Sequence, residues 1–468
     1  MTEQHDGGVA VAATPIDEFT AEIRGTVLQP GDDGYEAARH VWNGMIDKRP
    51  ALIVRCAGVA DVVRAVRFAR SQDMLIAVRG GGHNVTGNST CDGGMVIDLS
   101  PMKGVRVNPI AKTVHAQGGL TWREFDHETQ AFGLATTGGL VSSTGVAGFT
   151  LGGGIGWLVR KHGLACDNLR SVDMVMADGA TLTASATEHP DLFWAVRGGG
   201  GNFGIVTSFE FQLHPVSTVI GGLVLHPTER AGEVLRFYRE FVASAPNELT
   251  SIAIFMSAPP APFIPEELHG KPVLAIAACY TGSLEDGERA VEPLRTFGPP
   301  AVALLHPLPY QMLQGMFDEG SPAGLQNHWK SHFLTGLSDG AIETLEKYAT
   351  QRVSPLSQMH IHHLGGAMSR IPATATAYPH RDGQFVLNII GMWSDPSENA
   401  QQIQWVRDAW QAMTPYTTGG AYLNFMGEEG VDRIKAAYGE NYARLVDVKR
   451  RYDPANIFHL NQNIPPEK

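Results

Sequence analysis

The sequence predicts an α+β fold divided into two domains. With 468 residues, the chain is longer than most single domains. In its first half, short apolar segments with the length of strands alternate with a helix pattern and with clusters of glycine. After about residue 214 the glycines become sparse, prolines gather between residues 259 and 265, and longer amphipathic patterns appear. We therefore place a domain boundary near residue 215.

The elements of the first half are predicted from apolar spacing. In chain order they are a strand at 51–54, a helix at 59–71, strands at 74–78 and 95–99, a hairpin over 172–183 and a helix at 191–197. The hairpin turns at Asp178-Gly179, a common two-residue turn. The strand at 74–78 leads directly into the run Arg79-Gly80-Gly81-Gly82-His83-Asn84.

The second half combines helix and strand patterns in a way that predicts a sheet with helices packed on it. Helices are predicted at 230–244 and 338–349, and strands at 273–278, 358–363 and 385–390. Residues 1–16 are small and polar, and they predict a loose tail. We find no internal repeat.

Composition excludes several kinds of partner. The net charge of −12, without a basic block, disfavours nucleic acid and anionic membranes. No apolar run approaches the length of a membrane-spanning helix, and the first residues lack the pattern of a signal peptide. The 4 cysteines lie far apart without Cys-x-x-Cys spacing, which predicts reduced thiols and a cytoplasmic protein.

Glycine clusters at 80–82, 138–156 and 198–204 are the unusual feature of the first half. Glycine lets the backbone approach a ligand closely and offer N–H donors to phosphate oxygens. Any one cluster could simply be a turn. Three of them together favour an elongated ligand that carries phosphate.

Familiar nucleotide motifs do not account for these clusters. Residues 199–204 fit Gly-x-Gly-x-x-Gly, but a helix pattern precedes them and no acidic ribose ligand follows at the expected distance, so a Rossmann site is disfavoured. The sequence also lacks Walker A, His-Glu-x-x-His and Gly-x-Ser-x-Gly motifs. Nucleotide hydrolysis, zinc proteolysis and ester hydrolysis are therefore disfavoured.

His83 is the candidate functional residue of the first cluster. It follows three glycines at the predicted end of a strand, where its side chain would face whatever the loop binds. A lone histidine is more often a surface residue or a hydrogen-bonded core residue. The neighbouring motifs favour a functional role instead.

Those motifs resemble the berberine-bridge-enzyme-like flavoprotein oxidases of the vanillyl-alcohol-oxidase superfamily. The matching segments are residues 78–83, 136–157, 161–168, 191–204 and 452–465. The resemblance covers nearly the whole chain in order, and it is nearest to a bacterial branch that includes the enterocin-pathway oxygenase, which uses a flavin N5-oxide.

The resemblance implies a PCMH-type FAD-binding fold. It divides the chain into an FAD-binding domain over 17–215, a substrate domain with an antiparallel sheet covered by helices over 216–435, and a return to the FAD domain over 436–468. It also implies that His83 is bonded covalently to the flavin 8α-methyl carbon. Many relatives add a second bond from a cysteine, but this chain has Val141 at that position, so we expect one link.

The resemblance also assigns the residues that contact FAD, with the pyrophosphate against 80–84 and Gly145. The assigned residues are Arg79, Gly80, Gly81, Gly82, His83, Asn84, Gly139, Leu140, Ser143, Thr144, Gly145, Gly148, Gly152, Gly153, Gly204, Ile205, Val206, Asn424, Phe425 and Asn461.

The catalytic base is less direct to assign. Many relatives carry a tyrosine as the last residue of Tyr-x-Asn-Tyr, where this chain has Phe425. Alternation along the strand at 358–363 places His360 and His362 on one face, so either is a candidate base, with Tyr422 as a further candidate. Two exposed strand histidines are the alternative. A metal site lacks an identifiable third ligand, and no metal is expected.

The resemblance implies an oxidoreductase that oxidises a small or medium organic molecule with dioxygen as electron acceptor. Phe425 favours an alternative, an oxygenase of secondary metabolism that acts through a flavin N5-oxide. It also fits a flavin-binding protein that has lost catalysis. Neither the substrate nor the oligomeric state follows from the sequence.

Overall fold

The computed structural model describes residues 14–427 and 429–466. Residues 1–13 of the predicted loose tail lie outside this part of the chain. The next residues are ordered, because helix α1 (Pro15–Glu22) begins at Pro15. Thr14 caps this helix by accepting a hydrogen bond from the backbone N–H of Asp17 at 3.3 Å.

A four-stranded sheet forms first. Its strands are β1 (Thr26–Leu28), β2 (Leu52–Arg55), β3 (Ile76–Arg79) and β4 (Met95–Asp98), in the spatial order β1-β2-β4-β3. Strands β2, β4 and β3 are parallel, which requires crossover connections. Helix α2 (Tyr35–Arg39) precedes β2, and helix α3 (Val59–Ser71) joins β2 to β3. The predicted order of strand, helix and strand is confirmed, with the helix over the predicted residues.

A second, antiparallel sheet follows. The strands from here to residue 215 are β5 (Val105–Asn108), β6 (Thr113–Gln117), β7 (Leu134–Ala135), β8 (Leu169–Val175), β9 (Thr181–Ser185), β10 (Ile205–Gln212) and β11 (His214–Pro215). The order in the sheet is β5-β6-β10-β8-β9, and β7 pairs separately with β11. The predicted hairpin is the pair β8 and β9. The helices here are α4 (Trp122–Gln130), α5 (Val146–Leu151), α6 (Val159–His162) and α7 (Pro190–Val196).

The second half contains a seven-stranded antiparallel sheet. Its strands are β12 (Thr218–Pro227), β13 (Leu249–Ser257), β14 (Pro272–Tyr280), β15 (Val302–Pro309), β16 (Gln326–Leu334), β17 (Gln358–His363) and β18 (Phe385–Trp393), in the order β15-β12-β14-β13-β17-β18-β16. The helices of this half and of the C-terminus are α8 (Ala231–Ala243), α9 (Leu284–Thr296), α10 (Tyr310–Gln314), α11 (Asp339–Thr350), α12 (Asn399–Met413), α13 (Val431–Tyr438) and α14 (Tyr442–Tyr452).

Helices α8, α9, α11 and α12 pack on one face of this large sheet. Met359 and Ile361 of β17 belong to the apolar core on that face. Because side chains alternate along a strand, His360 and His362 lie on the opposite face, which looks toward the first half of the chain. The α+β character and the helix-covered antiparallel sheet are confirmed.

The C-terminal residues pack back on the first half. The Lys449 side chain is fully buried, and its Nζ donates to the Asn202 carbonyl at 2.7 Å, to the Phe458 carbonyl at 2.9 Å and to the Asp453 carboxylate at 2.7 Å. These bonds hold the last helix against the glycine loop at 198–204. The predicted boundaries between domains stay predictions. None of the described helices combines the length and the apolar character needed to cross a membrane.

Candidate functional site

The glycine loops of the first half and the free face of the large sheet enclose a cavity of about 630 Å³. This volume lies within the range of cofactor and small-molecule sites in proteins. The predicted site residues that line it are Gly80, Gly81, Gly82, His83, Asn84, Gly139, Leu140, Thr144, Gly145, Gly148, Gly152, Gly204, Ile205, Val206, His360, His362, Tyr422, Asn424, Phe425 and Asn461.

Three predicted residues lie outside this lining set. Arg79 ends β3 with a buried guanidinium that donates to the Asp98 carboxylate at 3.0 Å, so its side chain is directed away from the cavity. Gly153 faces the ring of Tyr378. Ser143 contacts the site indirectly, because its hydroxyl contacts His83.

Glycine is required where the loops meet. A Cβ atom added to Gly81 would overlap the backbone nitrogen of Gly145, and one added to Gly145 would overlap that of Gly81. Gly82 has a φ of 71°, which lets the chain turn sharply after β3. The two loops can therefore approach each other only as bare backbone.

The cavity fits an elongated cofactor such as FAD. Added Cβ atoms at Gly148 and Gly201 would meet no atom within 4 Å, so these backbones border open space. At the cavity wall, Ser89 Oγ and Asn461 Oδ1 are buried and find no hydrogen-bond partner among the described residues. Bare backbone together with unpaired polar atoms is what a ligand with phosphate, ribose and ring groups requires.

His83 is held on its edge and on its face. Its Nε2 lies 2.9 Å from the hydroxyl of Ser143, and the Trp42 ring stacks on the imidazole with centroids 5.2 Å apart. Burial lowers the pKa of His83 to about 4, although the nearby Asp318 carboxylate acts in the opposite direction. The imidazole is therefore neutral near pH 7, and one ring nitrogen keeps a free lone pair.

The opposite wall carries the two strand histidines. Nε2 of His360 lies 2.7 Å from Oε1 of Gln358, which can only accept, so Nε2 carries the hydrogen and Nδ1 is the acceptor. Burial lowers the pKa of His360 to about 4, and burial together with His360 lowers the pKa of His362. The two ring centroids lie 5.8 Å apart. Both rings are neutral near pH 7. No group of three His, Cys, Asp or Glu side chains within 14–427 and 429–466 is arranged to hold a metal ion.

Tyr422 is held by three donors. Its oxygen accepts hydrogen bonds from the backbone N–H groups of Gly154 at 3.0 Å and Ile155 at 3.1 Å, and from Nδ2 of Asn424 at 2.9 Å. Burial raises the pKa of this phenol. These bonds fix the glycine loop at 152–156 and leave the oxygen little capacity to accept a further proton.

Several residues at the site were not predicted from the sequence. Asn388 of β18 lies opposite His360 in the sheet register and lines the cavity, and its buried Oδ1 finds no partner in the described part of the chain. A single amide in an otherwise apolar strand was a signal that could have revealed it. Trp42 and Asp318 gave no local signal, since their contacts with the His83 region are distant in sequence.

Comparison with known proteins identifies the family. Residues 50–185 match the FAD binding domain family, and residues 421–465 match the family described as berberine and berberine like. An FAD-linked oxidoreductase of Dictyostelium discoideum is 33% identical over 96% of this chain and 97% of its own. The (R)-6-hydroxynicotine oxidase of Paenarthrobacter nicotinovorans is 32% identical over 97% of this chain and 98% of its own.

Solved structures of related proteins have the same fold. The crystal structure of 6-hydroxy-D-nicotine oxidase from Arthrobacter nicotinovorans has a TM-score of 0.86 at 29% identity, covering 95% of this chain and 98% of that one. A berberine-bridge-enzyme-like protein of Physcomitrella patens has a TM-score of 0.86 at 24% identity, covering 97% of this chain and 100% of that one, which shows the shared fold. The chain belongs to the berberine-bridge-enzyme-like family of FAD-linked oxidoreductases.

Proposed function

We propose that this protein oxidises a neutral, largely apolar small molecule, with dioxygen as electron acceptor and with FAD attached covalently to His83. One observation carries the proposal: His83 and the strand histidines His360 and His362 open into the same cavity from opposite walls. Bound FAD would supply a hydride acceptor in that space. The chain's own residues then have to attach the cofactor, hold the substrate and accept a proton.

The state of His83 supports attachment. Since burial keeps its imidazole neutral, a ring nitrogen has the lone pair that a new C–N bond needs. Attachment would join a ring nitrogen of His83 to the flavin 8α-methyl carbon, with loss of the imidazole N–H proton and of one methyl proton. The two electrons released would reduce dioxygen, which would take up both protons and leave as hydrogen peroxide. Val141 occupies the position at which many relatives carry a second link, which supports a single bond.

His360 and His362 are the proposed proton acceptors. Gln358 fixes the tautomer of His360, so that its Nδ1 accepts. Nε2 of His362 is buried and has no hydrogen-bond partner among residues 14–427 and 429–466, as expected of an atom that a bound molecule satisfies. A neutral imidazole that receives a proton from a substrate hydroxyl or amine would assist removal of the neighbouring hydride.

The lining of the cavity supports a neutral substrate. Among the described lining residues, Glu319 is the only Asp, Glu, Lys or Arg. The wall near the strand histidines is formed largely by Met256, Phe263, Phe317, Trp329 and Phe425. A charged group would be desolvated there without an opposite charge, which costs free energy. Apolar molecules with one or two hydrogen-bonding groups fit this wall better than charged ones.

Anaerobic mixing of the holoenzyme with a substrate panel tests the proposal. The panel holds neutral hydroxylated aromatic and heteroaromatic compounds, including 6-hydroxynicotine because the relative at 32% identity is named for it, together with sugars and carboxylates. We expect neutral aromatic members to bleach the yellow flavin, and air to restore the colour with one hydrogen peroxide per turnover. If no member bleaches the flavin, or only carboxylates do, the proposal is wrong.

An oxygenase is the second candidate, favoured by one observation. Phe425 stands where many relatives carry a tyrosine, and its ring contacts that of Tyr422 with centroids 4.8 Å apart. The cavity thus has an apolar ring in place of a phenol. Labelled dioxygen separates the two functions, because an oxidase places the label in peroxide and an oxygenase places it in the product.

A further inference from the structure

Residues 316–321, here called the tether segment, connect the substrate side of the cavity to His83. The segment follows helix α10 in the second half of the chain. Met316, Phe317, Glu319, Gly320 and Ser321 line the cavity. Asp318, between them, points instead toward the first half, where it bonds with Ser142 and Arg123.

Asp318 is bonded by three donors. Its Oδ1 accepts from the backbone N–H of Ser142 at 2.7 Å, and its Oδ2 accepts from the Ser142 hydroxyl at 2.6 Å. Arg123 Nη2 donates to the same Oδ2 at 2.9 Å, and Arg123 Nε donates to the Ser142 hydroxyl at 3.0 Å. Hydrogen bonds to a carboxylate are stronger and more directional than those between neutral groups. The turn at Ser142 is therefore fixed from the opposite half of the chain.

The next residue, Ser143, is the one that contacts the edge of the His83 ring, at 2.9 Å from Nε2. The other end of the tether segment reaches the opposite contact. Trp42 donates its indole N–H to the Ser321 carbonyl at 3.1 Å, and the same indole stacks on the His83 ring. The tether segment thus bonds to Trp42, which stacks on the imidazole, and to Ser142, the chain neighbour of the Ser143 that contacts its edge.

We propose that Asp318 is a positioning residue for His83, which fixes the turn at Ser142 so that the Ser143 hydroxyl holds the imidazole in the orientation required for attachment to FAD. The proposal rests on the proposed function, because it assumes that His83 forms the bond. Orientation of the attacking nitrogen contributes directly to the rate, since a freely rotating ring spends little time in the reactive geometry. The effect belongs to the attachment step and not to the initial binding of FAD.

In the competing explanation, Asp318 only stabilises the contact between the two halves of the chain and does not affect His83. It predicts that loss of Asp318 weakens folding or FAD binding and leaves the attachment rate of bound FAD unchanged. The positioning role predicts normal folding and FAD binding, with slower attachment of the bound FAD. The two explanations also differ in how Asp318 and Ser143 combine, because residues that act through one another are not additive.

The experiment supplies FAD to the full-length protein prepared without flavin and measures acid-stable flavin over time at saturating FAD. The variants are Asp318→Asn, Ser143→Ala and their combination. The His83→Ala variant lacks the attaching residue and gives the background level of acid-stable flavin. The matched control is Asp339→Asn, which removes an exposed carboxylate that also accepts from arginines, Arg236 at 3.3 Å and Arg239 at 3.0 Å. Non-covalent FAD binding at early times and the thermal unfolding of each variant are recorded in parallel.

We expect Asp318→Asn to attach FAD about tenfold more slowly or worse, because a charge-assisted hydrogen bond is lost. FAD binding should stay within about twofold of the wild type. The combined variant should be no slower than Ser143→Ala alone, and Asp339→Asn should match the wild type. The positioning role is wrong if the Asp318→Asn variant attaches FAD at the wild-type rate. It is also wrong if the rate reductions of the two single substitutions multiply in the combined variant.

Two further outcomes are decisive. If the wild type forms no acid-stable flavin, the proposed bond to His83 fails and the positioning role fails with it. If Asp318→Asn does not fold, Ser142→Ala replaces it, because this variant removes the hydroxyl bonded to Asp318 and keeps the backbone bond. Slower attachment in Ser142→Ala with normal FAD binding then supports positioning, and an unchanged rate overturns it.

Discussion

The two walls of the cavity are built by different means. The wall from the first half is made by backbone at Gly81 and Gly145, where no side chain fits between the loops. The wall from the large sheet is made by the side chains of His360, His362 and Asn388. Contacts made by the backbone do not depend on which side chains the loops carry. The side chains of the second wall, in contrast, can change without altering the fold.

The comparison predicts different responses to substitution. A backbone wall tolerates no added atom where its loops touch, so a single methyl group should affect the whole site. Truncating a side chain in the second wall should leave the bound cofactor in place and should lower only the rate of the reaction. Three experiments test this difference, from the largest expected effect to the smallest.

The largest effect is expected for Gly81→Ala. Its Cβ would overlap the backbone nitrogen of Gly145, and backbone cannot move aside as the end of a flexible side chain can. We expect a loss of about 1–3 kcal/mol in the free energy of unfolding and no stoichiometric flavin. Flavin absorbance and chemical denaturation measure both quantities.

The control for this substitution is Gly336→Ala, whose Cβ would meet no atom within 4 Å. It should bind flavin as the wild type does. Normal flavin content in Gly81→Ala would show that the backbone wall is less closely fitted than its geometry indicates.

An intermediate effect is expected for His360→Ala and His362→Ala. Loss of a proton acceptor should slow anaerobic flavin reduction by about 10²-fold to 10⁴-fold, with flavin content unchanged. Stopped-flow bleaching with a substrate from the panel measures the rate. His306→Ala, on the exposed part of β15, is the matched control and should not change it. Wild-type rates in both variants would remove these histidines from the proton transfer.

The smallest effect is expected from pH. Because burial lowers the pKa of His360 to about 4, its neutral form should persist as the pH falls below the usual histidine value. The rate of flavin reduction should therefore be flat from about pH 8 to about pH 5.5 and fall only as the pH approaches 4, where the ring gains a proton. An inflection between about pH 6 and 7, the usual range of a histidine, would contradict the depressed pKa.

The same difference between the walls explains what the sequence could predict. Clusters of glycine and a histidine after them are local patterns, so the predicted residues around Gly81 and His83 could be named in advance and lie along one cavity. Helix α3 and strand β17 were predicted over their observed residues, because apolar spacing and alternation are also local.

The rest depends on contacts across long stretches of chain. Strands β12, β13, β15 and β16 of the large sheet were not predicted. Short apolar runs such as β13 do not distinguish a strand from a buried helix, and β16 consists mostly of polar residues. Asn388 reaches the site only through the register of β17 with β18, and Asp318 meets Ser142 from 176 positions away. Tyr422 was predicted as a candidate base, and that role stays a prediction, while its oxygen already accepts three N–H groups.

The buried ammonium of Lys449 has a consequence for the order of events during biosynthesis. It bonds to the carbonyl of Asn202 across 247 positions of the chain. The loop at 198–204 therefore lacks this partner until translation has passed residue 449. Because Asn461 and Gln462 also line the cavity, the growing chain lacks part of the cavity wall until these residues have been synthesised.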